Sequence, residues 1–122
     1  MNTPDLERLV VAALEDIKAR DIEIIDTTLL SAQFERIIVA SGDSGRQTRA
    51  LAHNVLDRVR AAGGKVLGIE GEDNGEWVLV DLGEIVVHVM QPAIRSHYRL
   101  EELWNAPLPA RRAEPLPRGA GA

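Results

Sequence analysis

The chain contains no cysteine, which excludes disulfides and thiol chemistry and fits a reducing compartment. Aromatic residues are nearly as scarce, at 3% of 122 residues. Each of the four therefore carries weight, and Trp77, Tyr98 and Trp104 fall late in the part expected to fold. No apolar run approaches the ~20 residues that span a bilayer. The start, MNTPDLERL, lacks the basic-then-apolar pattern of a signal peptide, so a soluble, cytoplasmic protein is expected. Basic residues are outnumbered, 14 to 19, for a formal net charge of -5. The imbalance is local: Glu70, Glu72, Asp73, Glu76, Asp81 and Glu84 follow one another with no Lys or Arg among them. Such an edge disfavours naked nucleic acid and favours a basic protein partner, although a plain solvated rim has the same composition.

What is present is a 45% hydrophobic content, enough for one packed core and one domain. Thr3-Pro4-Asp5 reads as a helix start, with a capping hydroxyl, a proline in the first turn and an early acid. Leu6, Leu9, Val10, Ala13, Leu14 and Ile17 then recur at helical spacing. Residues 22–26 (IEIID) and 34–40 (FERIIVA) predict strands, the second central. Ser41-Gly42-Asp43-Ser44-Gly45 opens a second helix with Asp43 or Ser44 as cap, and Gly63-Gly64 stops it. His53 lies opposite the apolar stripe of that helix and reads as solvated rather than as a ligand. Residues 65–69 predict a third strand, parallel to and paired with the second through the intervening helix. Pro92 begins a last helix, PAIRSHYRLEELW. From Ala106 the chain is rich in Pro, Gly and Arg, so residues 1–105 predict the folded domain and 106–122 a disordered tail.

The most informative stretch is GEWVLVDLGEIVVHVM, residues 75–90. Alternating residues flank Gly83-Glu84, which suits a two-residue hairpin with Gly where φ > 0 is wanted. Counting outward pairs Leu82 with Ile85, Val80 with Val87 and Val78 with Val89 on one aliphatic face. The other face pairs Asp81 with Val86, Leu79 with His88 and Trp77 with Met90. A Trp, a Met and a Leu beside a carboxylate and an imidazole suit an outward surface that meets another molecule. The competing assignment for Trp77 is a core anchor, which would need a partner for its N–H. With strands at five places, the fold class is α/β: a single domain with a mixed sheet of about five strands flanked by helices.

GIEGEDNGEWVLVDLGEIVVHVM followed by RSHYRLEELW resembles the ribosomal silencing factor family, also called Iojap-related, and the likeness extends upstream through DIEIIDTT and IIVASGDSGRQTRAL. It covers roughly residues 5–105, with a specific spacing from Glu70-Gly71 through Trp77, Asp81, His88 and Met90 to Tyr98 and Leu100-Glu101. The resemblance implies a nucleotidyltransferase-like topology without the catalytic set. It implies a translation repressor that binds the large ribosomal subunit through its ribosomal protein fourteen, blocks joining of the small subunit when nutrients are scarce, and forms homodimers. Carried over by position, Trp77, Leu82, Met90 and Tyr98 stand at the ribosomal contact, and Asp81, His88 and Arg95 match the same motif.

An enzyme is the alternative. The Ser41–Gly45 turn could present N–H groups to a phosphate, as a nucleotidyltransferase-like enzyme using metal and nucleotide would require. Such chemistry also needs carboxylates one residue apart on a strand, and Asp81 has Leu79 and Gly83 at its same-face positions. Asp81 and His88 are diagonal in the hairpin, so a hydrogen bond is expected of that pair rather than acid–base catalysis. Three scattered His residues make no metal site, and no cofactor is implied. RNA contact is expected to be weak at most, through Arg111, Arg112 and Arg118 of the tail. The expectation is a non-catalytic binding protein whose Trp77→Ala and Met90→Glu variants lose the ribosome while staying folded.

Overall fold

The computed structural model of the chain describes residues 1–99. The expected tail, and the later turns of the last helix with Trp104, lie outside the described residues.

Helix α1 (Thr3–Asp16) is capped one residue earlier than its sequence suggests. The Asn2 side chain, not Thr3, accepts the Asp5 N–H at 2.9 Å, since Asn serves as well as Thr and leaves Pro4 in the first turn. Leu6, Val10, Ala13 and Leu14 form its buried stripe. No glycine ends α1. Instead helix α2 (Gly45–Ala61) reaches across: Gln47 Nε2 donates to the Ile17 carbonyl at 3.1 Å and Asn54 Nδ2 to the Ala13 carbonyl at 2.7 Å. Ser44 caps α2, accepting the Gln47 N–H at 3.1 Å, and Thr48, Leu51, Ala52, Val55, Leu56 and Val59 are buried. At its far end the N–H groups of Gly63 and Gly64 return to the carbonyls of Arg60 and Val59, the two bonds of a Schellman stop.

Strands β1 (Arg20–Asp26), β2 (Arg36–Ser41), β3 (Gly68–Glu70), β4 (Trp77–Asp81) and β5 (Ile85–Met90) form one mixed sheet in the order β1-β2-β5-β4-β3. The short helix α3 (Pro92–Tyr98) follows β5. The expected pairing of the strands either side of α2 is corrected. β2 pairs in parallel with β5, whereas β3 occupies the sheet edge, antiparallel to β4. The reason lies in burial. All six residues of β5 are buried, as a central strand with both faces covered requires, while β3 is three residues long and none is fully buried.

The hairpin register matches the sequence count throughout. Trp77 pairs with Met90, Val78 with Val89, Leu79 with His88, Val80 with Val87 and Asp81 with Val86. Gly83 takes φ +90 at the first turn position, which fits a type II′ turn. One face of the sheet, with Ile38, Ala40, Val78, Val80, Val87 and Val89, packs under α1 and α2. The other carries a smaller core of Ile25, Ile37, Val39 and Met90, against which Phe34, Trp77 and Ile94 pack.

Candidate functional site

The alternation of β4 and β5 sends Trp77, Leu79, His88 and Met90 to the second face, and parallel pairing adds Val39 and Ser41 from β2. Trp77 and His88 are diagonal neighbours across the hairpin. The indole Nε1–H of Trp77 donates to His88 Nδ1 at 2.9 Å, with the ring centroids 5.8 Å apart. Tyr98, at the end of α3, also lies against the indole, centroid to centroid 4.8 Å and tilted by 51°. His97 meets the Tyr98 ring edge-on at 4.9 Å. Arg95, one turn earlier on α3, donates from Nη1 to the buried Ser41 hydroxyl at 2.9 Å, which ties the helix to the sheet beside Met90.

Five of the seven residues singled out by sequence therefore gather at one end of this face: Trp77, His88, Met90, Tyr98 and Arg95. Their exposure differs from expectation. Met90 and His88 have no accessible surface and Leu82 only 4%, so the hairpin does not present them outward. β5 is central, flanked by β2 and β4, and its second face is covered as fully as its first. Leu82 belongs to the core beneath α1 and α2. Asp81 accepts the Gly83 N–H at 3.0 Å, which sets the turn rather than pairing with His88. Trp77 and Arg95 are half-buried, and Tyr98 is 36% exposed. These three reach the surface.

Two amides of the Ser41–Gly45 turn are engaged within the chain: Gly42 donates to the Met90 carbonyl at 3.0 Å and Asp43 to Gln47 Oε1 at 2.6 Å. Asp43 also pairs with Arg20 and sets a negative charge where a phosphate would approach. Among the described residues, no group of three or more His, Asp or Glu side chains is placed to hold a metal ion, and no helix is long and apolar enough to cross a membrane.

Sequence reasoning missed one clasp. His53 meets the Glu72 carboxylate, and Arg49 donates to the Glu72 carbonyl at 3.3 Å, so the acidic loop between β3 and β4 is held against α2. His53 is half-exposed, as its place on the helical wheel implies, but it is partnered. That contact is 19 residues long in sequence and joins two exposed polar side chains, so no apolar periodicity reports it.

Fold and site together define a small α/β protein with a five-stranded mixed sheet and a partly exposed cluster of Trp77, Tyr98 and Arg95 at one end of it. A family model described as "Ribosomal silencing factor during starvation" matches residues 1–118. The chain belongs to the ribosomal silencing factor family. A protein of Chromobacterium violaceum named ribosomal silencing factor RsfS is 48% identical over 90% of this chain and 90% of its own length. A crystal structure of a protein from the same organism superimposes with a TM-score of 0.85 at 49% identity, covering 89% of this chain and 91% of that one. A mouse protein named mitochondrial assembly of ribosomal large subunit protein 1 is 31% identical over 80% of this chain and 44% of its own length.

Proposed function

We propose that this protein silences ribosomes by occupancy: it binds the large ribosomal subunit through ribosomal protein fourteen, and its bulk keeps the small subunit from joining when nutrients are limiting. Family membership supports a ribosomal role, and the mouse relative's name places that protein with the large subunit. The observation that carries the docking mode is the tilted Trp77–Tyr98 ring contact. The indole N–H is already spent on His88, so Trp77 presents apolar surface, and Tyr98 adds its ring beside it near the Arg95 guanidinium. The acids of the loop before Trp77, Glu72, Asp73 and Glu76, steer a basic ribosomal protein towards this end of the sheet. Trp77, Tyr98 and Arg95 make the contact, while His88, Met90, Asp81 and Leu82 hold the hairpin in shape beneath it. The protein acts in the cytoplasm, and no bond is made or broken.

The experiment is sucrose-gradient sedimentation of separated subunits with and without the full chain. Co-migration with the large subunit and loss of the joined ribosome are expected, and both should fail for Tyr98→Ala. Migration with the small subunit, or joining that proceeds normally at saturating protein, would overturn the reading.

A further inference from the structure

The opposite end of the same sheet carries a second surface. Residues 27–34, between β1 and β2, form a loop tied at its neck. The Thr27 N–H donates to the Glu35 carbonyl at 2.9 Å and its hydroxyl to the Phe34 carbonyl at 3.3 Å. The N–H groups of Leu30 and Ser31 both return to the Thr27 carbonyl at 2.9 Å. Thr27 is fully buried, whereas Leu29 at the tip is 97% exposed and Leu30 40%. A compact loop closed in this way holds its tip side chains out by construction, a form often used for binding. Beside it lies an open depression of 290 Å³ lined by Phe34, Glu35, Glu84 and the loop's own small residues.

The charge around this depression is one-sided. The Glu35 N–H donates to the Glu84 carbonyl at 2.7 Å, which sets two exposed acids side by side at its wall. Exposed Asp26 lies at the loop's base. The cation of this corner, Arg36, is spent on Glu7 at 3.1 Å and Asp26 at 3.2 Å. Exposed leucines on a loop whose depression is walled by Glu35 and Glu84 suit a protein segment in which an apolar side chain is flanked by Lys or Arg, and the carboxylates repel nucleic-acid phosphates.

We propose that the 27–34 loop and its depression are a second docking point, taking a basic, apolar-anchored segment of the same ribosomal protein that the Trp77–Tyr98 patch contacts. This rests on the large-subunit reading given above. β5 runs from one point to the other, and its six residues separate them by about 17 Å, a span that one protein surface covers.

The test measures binding of the full chain to purified large subunits, and to isolated ribosomal protein fourteen, across a salt series. The variants are Leu29→Ser with Leu30→Ser, and Glu35→Lys with Glu84→Lys, all at exposed positions, with unfolding midpoints checked beside them. The leucine pair should weaken binding about tenfold, as losing an anchor does. The charge pair should weaken it at low salt and flatten its salt dependence. Absence of wild-type binding overturns both proposals. Wild-type-like binding by both loop variants while Tyr98→Ala is weakened overturns the second docking point alone. Tighter binding by the charge-reversed pair overturns the basic-segment assignment and makes the contact one with RNA.

Discussion

Trp77 donates its indole N–H to Nδ1 of His88 at 2.9 Å, across the diagonal of the β4–β5 hairpin. Because Nδ1 accepts, it carries no proton, and the neutral imidazole holds its hydrogen on Nε2. A fully buried histidine thereby fixes the orientation of a half-buried tryptophan, and the tryptophan in turn supports Tyr98.

His88→Leu keeps most of the volume but removes the acceptor, leaving an indole N–H without its partner. We expect a loss of about 1–3 kcal/mol in urea denaturation. Adding Trp77→Phe, which removes the donor, should restore part of that loss, because the two changes share one bond. Additive losses would show that the bond does not couple the two residues. Nitrogen NMR of the wild-type imidazole should show the Nε2–H tautomer.

Much of this arrangement is legible in the sequence, and the parts that are not have physical reasons. The hairpin register follows from Gly83 and strict alternation, because the side-chain period of a strand is two and a turn glycine fixes the phase. Strand order is less local. Strand, helix, strand gives the direction of β3 but not its neighbour, which depends on which strand is apolar enough for the middle of the sheet. VLV and IVVHVM are both largely apolar, and only the short β3, with its Gly68, marks the edge. Exposure of the site was misjudged because alternation says which side chains share a face, not whether that face is covered. The diagonal Trp77–His88 bond could have been found by counting two residues off the pairing of Leu79 with His88.

Burial separates two substitutions that the sequence treats alike. Met90 has no accessible surface and packs in the second-face core, so Met90→Glu would bury a carboxylate among apolar side chains, where the neighbouring Arg95 is already engaged by Ser41. We expect it to unfold the domain or to cost about 3–5 kcal/mol, so that lost ribosome binding follows from lost structure. Tyr98→Ala removes a ring that is 36% exposed and touches Trp77, so it should lower the unfolding free energy in urea by only about 0.5–1.5 kcal/mol, leaving the domain folded while binding falls. A stably folded Met90→Glu protein would contradict the packing described for this face.

Asp26 supplies an acid-limb test. Hydrogen bonds from Thr28, side chain first and then backbone, hold its carboxyl below the usual carboxylate range, and Arg36 adds to them. A folded-state value below the unfolded one means that the stabilisation is complete above the unfolded value, near 3.8, and is lost as pH falls through the lower folded value. Asp26→Asn should therefore lie below wild type near neutrality, by a small amount because the carboxylate is exposed, and the two curves should converge as pH falls below about 4. The check is a series of thermal midpoints from pH 2 to 7 for both proteins. Parallel curves would mean that Asp26 titrates alike in the folded and unfolded chains.

Two glycines of the acidic loop, Gly71 and Gly75, are required by close backbone contact as well as by turn geometry, and Gly75 is the one that meets α2. Gly75 sits at φ +71, and a Cβ there would lie 2.7 Å from the Gly45 Cα and 2.9 Å from the Gly45 carbonyl oxygen, both backbone atoms at the start of α2. Gly63 also has positive φ, +85, but a Cβ there meets nothing within 4 Å. Gly63→Ala should thus cost only the left-handed strain, about 1–2 kcal/mol. Gly75→Ala adds a backbone clash that no side-chain rotation relieves. It should push the loop from α2, breaking the bonds that the Gly75 carbonyl accepts from Thr48 and Gln91 and loosening the His53–Glu72 contact. We expect about 3 kcal/mol or more. The displacement should also reach the site, because the Gln91 N–H bonds the Glu76 carbonyl at 2.9 Å, one residue before Trp77. Tryptophan fluorescence should then shift to the red for Gly75→Ala and stay put for Gly63→Ala. Equal losses of stability in the two variants would remove the clash from the explanation and leave backbone strain as the whole of it.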